Sequence, residues 1–203
     1  IRQNFNNDKL LSDNAIYTVL CDRDNNIWVG SYFGGVDVMR GDHPFTWYEP
    51  GYTPINIKGK VARMMTEVDN GDIWIATEDG GLNIYNQRTE TFSQFDRIPN
   101  MGNNIHSLYY DRNASDMWIG TFRHGLFKYN LSSGAVKRYE LIPGSTDNSI
   151  FGFARQSNGC LWIATTQGLR YYDAAHDTFG KTGNDRLDNY FVYTLAVDSR
   201  DNV

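Results

Sequence analysis

The sequence predicts an all-β fold built from repeated four-stranded units, and three observations support this prediction. Tryptophan recurs at positions 28, 74, 118 and 162, at intervals of 46, 44 and 44 residues. A turn rich in Asn, Asp or Gly precedes each tryptophan, and a glycine follows it after six or seven residues. The runs between these turns are rich in β-branched and aromatic residues, as strands are. No segment shows the 3.6-residue apolar period of an amphipathic helix.

Each repeat divides into four short strands, which in the first repeat read NAIYTVLC, IWVGS, GVDVM and FTWY. Asn25-Asn26, Asn70-Gly71 and Asn158-Gly159 suit a tight hairpin turn between the first and second strands. Four strands in about 44 residues are typical of a β-propeller blade. The predicted blades span residues 12–49, 58–97, 102–141 and 147–182.

Both ends of the chain are predicted to hold parts of further blades. Residues 1–6 match a fourth strand, because Phe5 precedes Asn14 by nine residues, as Phe95 precedes Asn104. Residues 189–203 match a first strand and the turn that follows it. A propeller closes by pairing strands from its two ends, which removes free sheet edges. We therefore expect residues 1–203 to be a partial propeller, a fragment of a larger ring with seven blades.

Two residue types recur at fixed places in the repeat and are predicted to be structural. The large apolar ring of each tryptophan needs a partner sheet, so we expect it to pack between neighbouring blades, with ligand stacking as the alternative. A glycine at the start of each third strand suggests a positive φ or a close backbone approach. The structural positions are Trp28, Trp74, Trp118, Trp162, Gly35, Gly81, Gly125 and Gly168.

Composition narrows the possible functions. The net charge of −5 provides no basic stripe for nucleic acid. No apolar stretch approaches the roughly 18 residues of a membrane helix. Cys21 and Cys160 lie at different places in their repeats, so the repeat pattern does not predict a disulfide between them.

Motifs of common enzymes and metal sites do not occur in the sequence. It contains neither Gly-x-x-x-x-Gly-Lys nor Gly-x-Ser-x-Gly, and its four histidines are scattered. Asp22, Asp24 and Asn26 resemble the start of a calcium loop, but Phe33 occupies the position that needs a bidentate Glu. These residues instead favour a hairpin turn. We therefore predict no catalytic residue, no metal and no cofactor.

The loops between second and third strands are the predicted ligand-binding region. In a propeller these loops share one face with the connections between blades. They combine aromatic rings, which can stack on sugars, with Arg and carboxylate groups, which can bind hydroxyls. Such residues are also common on loops without any ligand, and Glu78 with Asp79 could instead be an acid–base pair. The candidate ligand-binding residues are Tyr32, Phe33, Glu78, Asp79, Phe122, Arg123, His124 and Gln167.

The repeat resembles the regulator-propeller repeat of hybrid two-component sensors from gut Bacteroidetes. The resemblance covers nearly the whole chain and rests on Ile73-Trp74-Ile75-Ala76-Thr77 with Gly80-Gly81-Leu82, and on Met117-Trp118-Ile119-Gly120-Thr121 with Gly125-Leu126. The first repeat departs from the pattern, with Ser31 in place of Thr and Val36 in place of Leu. The second repeat has a longer entry that contains lysine.

The resemblance implies a role in sensing. Such sensors have periplasmic propellers that detect oligosaccharides from glycan breakdown, followed by a β-sandwich, a membrane helix, a histidine kinase and a DNA-binding response regulator. It implies that this segment is not itself an enzyme, that its parent is a kinase of the inner membrane, and that it contacts no nucleic acid. The implied partners are an oligosaccharide, the remaining blades and β-sandwich, and a second copy in a homodimer. A protein-interaction or dimerisation scaffold is an alternative, as is a propeller polysaccharide lyase or glycosidase.

Overall fold

The computed structural model describes residues 11–40, 45–141 and 143–203. They form four sheets, each of four antiparallel strands that are neighbours in the order of the chain. This confirms the predicted all-β fold of four-stranded propeller blades. Contacts divide the chain into two compact units, residues 1–105 and 106–203, which are described separately.

The first unit contains two sheets. The first sheet consists of β1 (Ile16–Cys21), β2 (Ile27–Ser31), β3 (Val36–Met39) and β4 (Phe45–Tyr48). The second consists of β5 (Ala62–Glu67), β6 (Ile73–Thr77), β7 (Gly81–Asn86) and β8 (Thr91–Gln94). Strands β1 and β2 pack against β5, so the two sheets meet along their first strands.

The second unit repeats this arrangement. Its first sheet consists of β9 (Ile105–Asp111), β10 (Asp116–Thr121), β11 (Leu126–Asn130) and β12 (Val136–Tyr139). Its second sheet consists of β13 (Ile150–Arg155), β14 (Leu161–Thr165), β15 (Gly168–Asp173) and β16 (Thr178–Gly180). Each of the four sheets lies within one of the ranges that the sequence predicts for a blade.

The repeated tryptophan packs between two sheets of the same unit. Trp28 is fully buried; it stacks on Tyr48 of its own sheet at 6.2 Å and meets the edge of Tyr85, in the next sheet, at 5.1 Å. Trp118 repeats these contacts with Tyr139 at 5.7 Å and Tyr172 at 4.8 Å. Each tryptophan therefore joins a fourth strand to the third strand of the following blade.

The other two tryptophans differ from this pair. Trp74 is 4% exposed and packs on Phe95 at 4.9 Å. Trp162 is only half-buried, which corrects the prediction of a core position for it. The physical reason is that no tyrosine of a further third strand covers its ring within the described residues; its ring contact is with Tyr171 at 5.6 Å.

The recurrent glycines adopt the backbone conformation that favours glycine. At the start of the third strands, Gly35, Gly81, Gly125 and Gly168 have φ between 76° and 100°. At Gly168 an added Cβ would also lie 2.3 Å from backbone atoms of Asp188. A positive φ therefore explains all four glycines, and at Gly168 a close backbone approach explains it as well.

A pair of tyrosine hydroxyls lies beside each interblade tryptophan. In the first unit Arg40 donates hydrogen bonds to Tyr48 at 2.9 Å and to Tyr85 at 3.0 Å. In the second unit both Tyr139 and Tyr172 donate to Asp177 Oδ1 at 2.7 Å. Arg40 in the first unit and Asp177 in the second therefore bind equivalent pairs of tyrosine hydroxyls, although their own charges are opposite.

Asp177 is expected to make the stability of the fold depend on pH. Lys137, Tyr139 and Tyr172 hold the pKa of Asp177 well below its usual range. A depressed pKa stabilises the fold above the unfolded value of about 4, and this is lost as the pH falls through the folded pKa. We expect Asp177→Asn to cost about 1 kcal/mol at pH 7, a figure reduced for screening because the side chain is 39% exposed.

Urea unfolding of the two proteins between pH 7 and pH 2 checks this expectation. The difference between native protein and Asp177→Asn should shrink once the pH falls below about 4. Asp185→Asn is the control, because Asp185 is an exposed carboxylate on the short helix α1 (Asp185–Asn189). If the loss in free energy of unfolding caused by Asp177→Asn stayed constant from pH 7 to pH 2, it would contradict a depressed pKa of Asp177 in the folded chain.

The predictions for the two ends have different outcomes. The predicted strand at residues 1–6 lies outside the described residues. The structure assigns no strand to residues 190–203, and residue 189 ends α1, so the predicted strand at 189–203 is wrong. A strand needs a ladder of hydrogen bonds, whereas Val192 donates a single backbone bond, to Thr165 O at 3.0 Å, and Asp198 begins a turn. The five-residue α1, capped by Asn184, is too short to show helical periodicity in the sequence.

Candidate functional site

In the first unit, the loop after β2 carries a group of exposed aromatic rings. Tyr32 meets the edge of Tyr17 at 5.4 Å and of Phe33 at 4.1 Å. Tyr17 and Tyr32 are each about 40% exposed, and Phe33 is 63% exposed. The loop is fixed because Tyr32 N–H donates to Ala15 O at 2.9 Å and Phe33 N–H donates to Asp13 Oδ2 at 3.0 Å. The rings are therefore held in place while they face solvent.

An ion pair from the second sheet lies beside these rings. The guanidinium of Arg63 lies 4.6 Å from the centre of the Tyr17 ring, and its Nη1 lies 3.1 Å from Glu78 Oε1. Glu78, a predicted ligand-binding residue, thus reaches the Tyr17 group through Arg63. The Arg63 side chain is 9% exposed, so its planar group is held between the ring and the carboxylate.

Asp79 has a different role from Glu78. Its carboxylate accepts hydrogen bonds from the backbone N–H of Lys60 at 2.9 Å and of Val61 at 3.4 Å. It thereby holds the segment that enters β5. Glu78 therefore pairs with Arg63, whereas Asp79 binds the backbone ahead of β5.

The second unit holds a separate aromatic group. His106 stacks on Phe122 at 5.3 Å and meets Phe151 at 4.8 Å. Phe151 in turn contacts Phe191 at 4.9 Å and Tyr193 at 5.6 Å, and both of these rings are at least half exposed. Phe122 was predicted from sequence; the other rings were not.

Of the remaining predicted residues, one joins this group and two lie elsewhere. The guanidinium of Arg123 lies 5.1 Å from the Phe122 ring, and Arg123 N–H donates to Ser149 Oγ at 2.9 Å. His124 is exposed, and its carbonyl accepts a hydrogen bond from Arg138 at 3.1 Å. Gln167 donates to Ser145 Oγ at 2.8 Å and lines a separate cavity of about 350 Å³.

The central rings and the arginine occupy one position of the repeat. Four of them follow the aliphatic residue near the start of a first strand, as Tyr17 follows Ile16 and Phe151 follows Ile150. Tyr193 follows Val192 at the corresponding place in the sequence. Aligning the repeats by these aliphatic residues would have revealed the position from sequence. We call this set the column residues; it consists of Tyr17, Arg63, His106, Phe151 and Tyr193.

Backbone irregularities present three of the column residues. The pairing of β1 with β2 shifts between Ile16 and Thr18, so Tyr17 is an extra residue in its strand. The same shift leaves Arg63 extra in β5 and Phe151 extra in β13. A β-bulge re-aims a side chain, and bulges are over-represented next to binding and active sites. Their recurrence at one repeat position therefore marks the column residues of each unit as a candidate site.

The chemistry of the column residues suits a ligand with apolar faces and hydroxyl groups. Aromatic faces stack on apolar C–H surfaces, and Arg63 with Glu78 offers hydrogen-bond donors and acceptors. Among the residues that the structure describes, no three His, Cys, Asp or Glu side chains are placed to hold a metal ion. In the same described ranges, no helix is long and apolar enough to cross a bilayer.

A comparison with known sequence families finds a match near the start of the chain. Residues 10–33 match the family described as the two component regulator propeller. These residues are similar to a regulator-propeller repeat. The matched regulator-propeller segment includes β1 and β2 and, from the candidate site, Tyr17, Tyr32 and Phe33. No curated protein sequence matches the chain.

Solved structures share the fold of the chain. An extracellular domain of a hybrid two component system from B. thetaiotaomicron matches with a TM-score of 0.76 and 18% identity over 93% of this chain. A second such domain from B. thetaiotaomicron matches with a TM-score of 0.73 and 19% identity over 98%. In each case this chain spans 25% of the matched one.

An enzyme shares the fold as well. Virginiamycin B lyase from Staphylococcus aureus has a TM-score of 0.68 and 12% identity over 92% of this chain, which spans 61% of the lyase. A sensor domain and a lyase therefore both match, and at these identities the likeness shows the fold alone.

Proposed function

We propose that this chain is a ligand-binding segment of the extracytoplasmic sensor region of a hybrid two-component system. In this proposal it lies in the periplasm, binds an oligosaccharide from glycan breakdown and signals to a histidine kinase across the membrane. The observation that carries the proposal is the recurrence of a β-bulge at one repeat position, which presents Tyr17, Arg63 and Phe151. The regulator-propeller match of residues 10–33 supports it.

Binding would use groups that are already ordered. In the first unit, a sugar ring would stack on Tyr17 or Phe33, and Arg63 with Glu78 would bind its hydroxyls. In the second unit, Phe151 and Tyr193 would provide the stacking surface. Since hydrogen bonds already hold the loop after β2, binding would cost little ordering entropy. A ligand that favours one packing of the sensor would then shift its population toward the signalling state.

A thermal-shift experiment tests the proposed function. The 203-residue chain is heated with each member of a panel of plant and host glycan oligosaccharides. We expect at least one of them to raise Tm, because a ligand at 100 times its Kd stabilises a fold by about 2.7 kcal/mol. Tyr17→Ala or Phe151→Ala should weaken the binding of that oligosaccharide about fivefold, since each stacked ring contributes on the order of 1 kcal/mol.

Leu187→Ala is the matched control, because Leu187 is 43% exposed, as Tyr17 is 41% exposed, but lies on α1. It should leave the affinity within twofold of that of the native chain. The proposal would be overturned if no oligosaccharide raised Tm, or if both column variants bound as tightly as the control.

A further inference from the structure

The connection between β4 and β5 forms an anchored loop that is peculiar to the second repeat. The interval from Trp28 to Trp74 is 46 residues, compared with 44 for the next two intervals. Pro50 pairs with Ile57, and Gly51 N–H donates to Ile57 O at 2.8 Å. Ile57 is fully buried, which fixes the base of the loop in the core.

The tip of this loop is also tied to the sheet. Phe92 N–H on β8 donates to Pro54 O at 2.5 Å, and Asn56 N–H donates to Thr53 O at 3.0 Å. The loop carries Tyr52, which is 94% exposed. An aromatic ring this exposed on a fixed loop gains almost nothing from burial within the fold, so its surface is available for stacking.

Tyr52 borders a cavity of about 310 Å³ at the β8 side of the sheet. Lys58, Ser93 and Gln94 line the same cavity. Within the described residues, Lys58 Nζ, Ser93 Oγ and Gln94 Oε1 have no hydrogen-bond or ion-pair partner. They offer a cationic donor, a hydroxyl that donates and accepts, and an amide acceptor.

A fully buried amide positions two of these groups. Asn83 Oδ1 accepts hydrogen bonds from Lys58 N–H at 3.0 Å and from Gln94 Nε2 at 2.5 Å. Asn83 Nδ2 donates to Lys58 O at 2.9 Å. Gln94 is thus oriented with its amide nitrogen toward Asn83, which leaves its oxygen for a ligand. Lys58 is the single charged side chain among the described residues that line the cavity.

We propose that this cavity binds one pyranose unit of a glycan. The apolar face of the sugar ring lies on Tyr52, and its hydroxyls bind Lys58, Ser93 and Gln94. The volume lies at the small end of the range typical of ligand sites, about 300–1,000 Å³, which suits a single ring. The cavity lies at the last strand of its sheet, whereas Arg63 lies on the first, so this site is separate from the column residues.

Titration with simple glycosides tests this proposal. The probes are the methyl glycosides of glucose, galactose, mannose, xylose, N-acetylglucosamine and glucuronic acid, followed by NMR on the 203-residue chain. We expect at least one to bind with a Kd on the order of 1–10 mM, as for a ligand of this size. Tyr52→Ala should weaken binding at least fivefold. Tyr190→Ala, the control at a tyrosine that is 68% exposed, should leave it within twofold.

The outcomes separate this site from the column residues. NMR shift changes at Ser93 and Gln94 report binding at this cavity, whereas shift changes at Tyr17 report binding at the column residues. No binding by any of the six probes, or equal binding by Tyr52→Ala and the native chain, would overturn the proposal. Loss of glycoside binding in Tyr17→Ala but not in Tyr52→Ala would also overturn it and would favour the column residues. Weakened glycoside binding in Tyr52→Ala, together with no stabilisation by oligosaccharides, would support this site and count against the proposed function.

Discussion

Trp28→Ala is expected to lower the free energy of unfolding by about 3–5 kcal/mol, the usual cost of removing a buried tryptophan. Trp28 is fully buried and contacts both Tyr48 and Tyr85, so its loss opens a cavity between two blades. Its indole N–H also donates to Asp22 Oδ2 at 2.8 Å. Urea unfolding followed by circular dichroism measures the effect.

Trp47→Ala is the control for this variant. Trp47 is the same residue type in the same sheet but is 43% exposed. We expect it to cost about 1 kcal/mol or less, since mutations outside the core are usually mild. Equal losses for the two variants would contradict the assignment of Trp28 to the interblade core.

Asp22→Ala is expected to lower the free energy of unfolding by about 2–3 kcal/mol. The buried carboxylate accepts four hydrogen bonds, from Asp24 N–H, Asn26 N–H, Asn26 Nδ2 and Trp28 Nε1, at 2.8–3.0 Å. Removing it leaves the buried indole N–H without an acceptor, and an unsatisfied buried donor costs about 1–3 kcal/mol. The hydrogen bonds that define the hairpin turn are lost as well.

Asp24→Ala is the matched control for Asp22, since both residues belong to one turn and Asp24 is exposed. It should change the free energy of unfolding by about 0.5 kcal/mol or less. Native-like stability of Asp22→Ala would show that the turn does not need its carboxylate.

The role of Asp22 is repeated by Asp198, which accepts hydrogen bonds from Arg200 N–H, Asn202 N–H and Asn202 Nδ2 at 2.8–2.9 Å.

The repeat made the fold predictable from sequence. The spacing of the tryptophans and the Asn-rich and Gly-rich turns are local signals, and each appears four times. Trp28 and Trp118 pack as predicted because each has a tyrosine of the next blade against it. Trp162 shares the same local sequence but not that neighbour, so its burial could not be read from its own repeat.

The candidate site was only partly predictable. The sequence predicts Tyr32, Glu78 and Phe122 as ligand-binding loop residues, and each contacts a column residue. Asp79 and His124 were chosen on the same grounds, but residue type alone does not tell whether a loop side chain or its backbone makes the contact.

Three of the column residues, Tyr17, Arg63 and Phe151, are hard to predict because a bulge breaks the simple alternation of a strand. Strand periodicity assigns a residue such as Tyr17 to one face, whereas an extra residue in β1 re-aims it. Register shifts arise from packing and hydrogen bonds across strands, which a single strand's sequence does not display.

The central claim is that the column residues bind the ligand, and a crystal structure of the chain with its stabilising oligosaccharide tests this most directly. We expect a sugar ring stacked on Tyr17 or Phe33 in the first unit, or on Phe151 or Tyr193 in the second. In the first unit, hydroxyls should lie within hydrogen-bond distance of Arg63 or Glu78. An oligosaccharide bound elsewhere, with Tyr17 and Tyr193 still exposed as in the free chain, would contradict it.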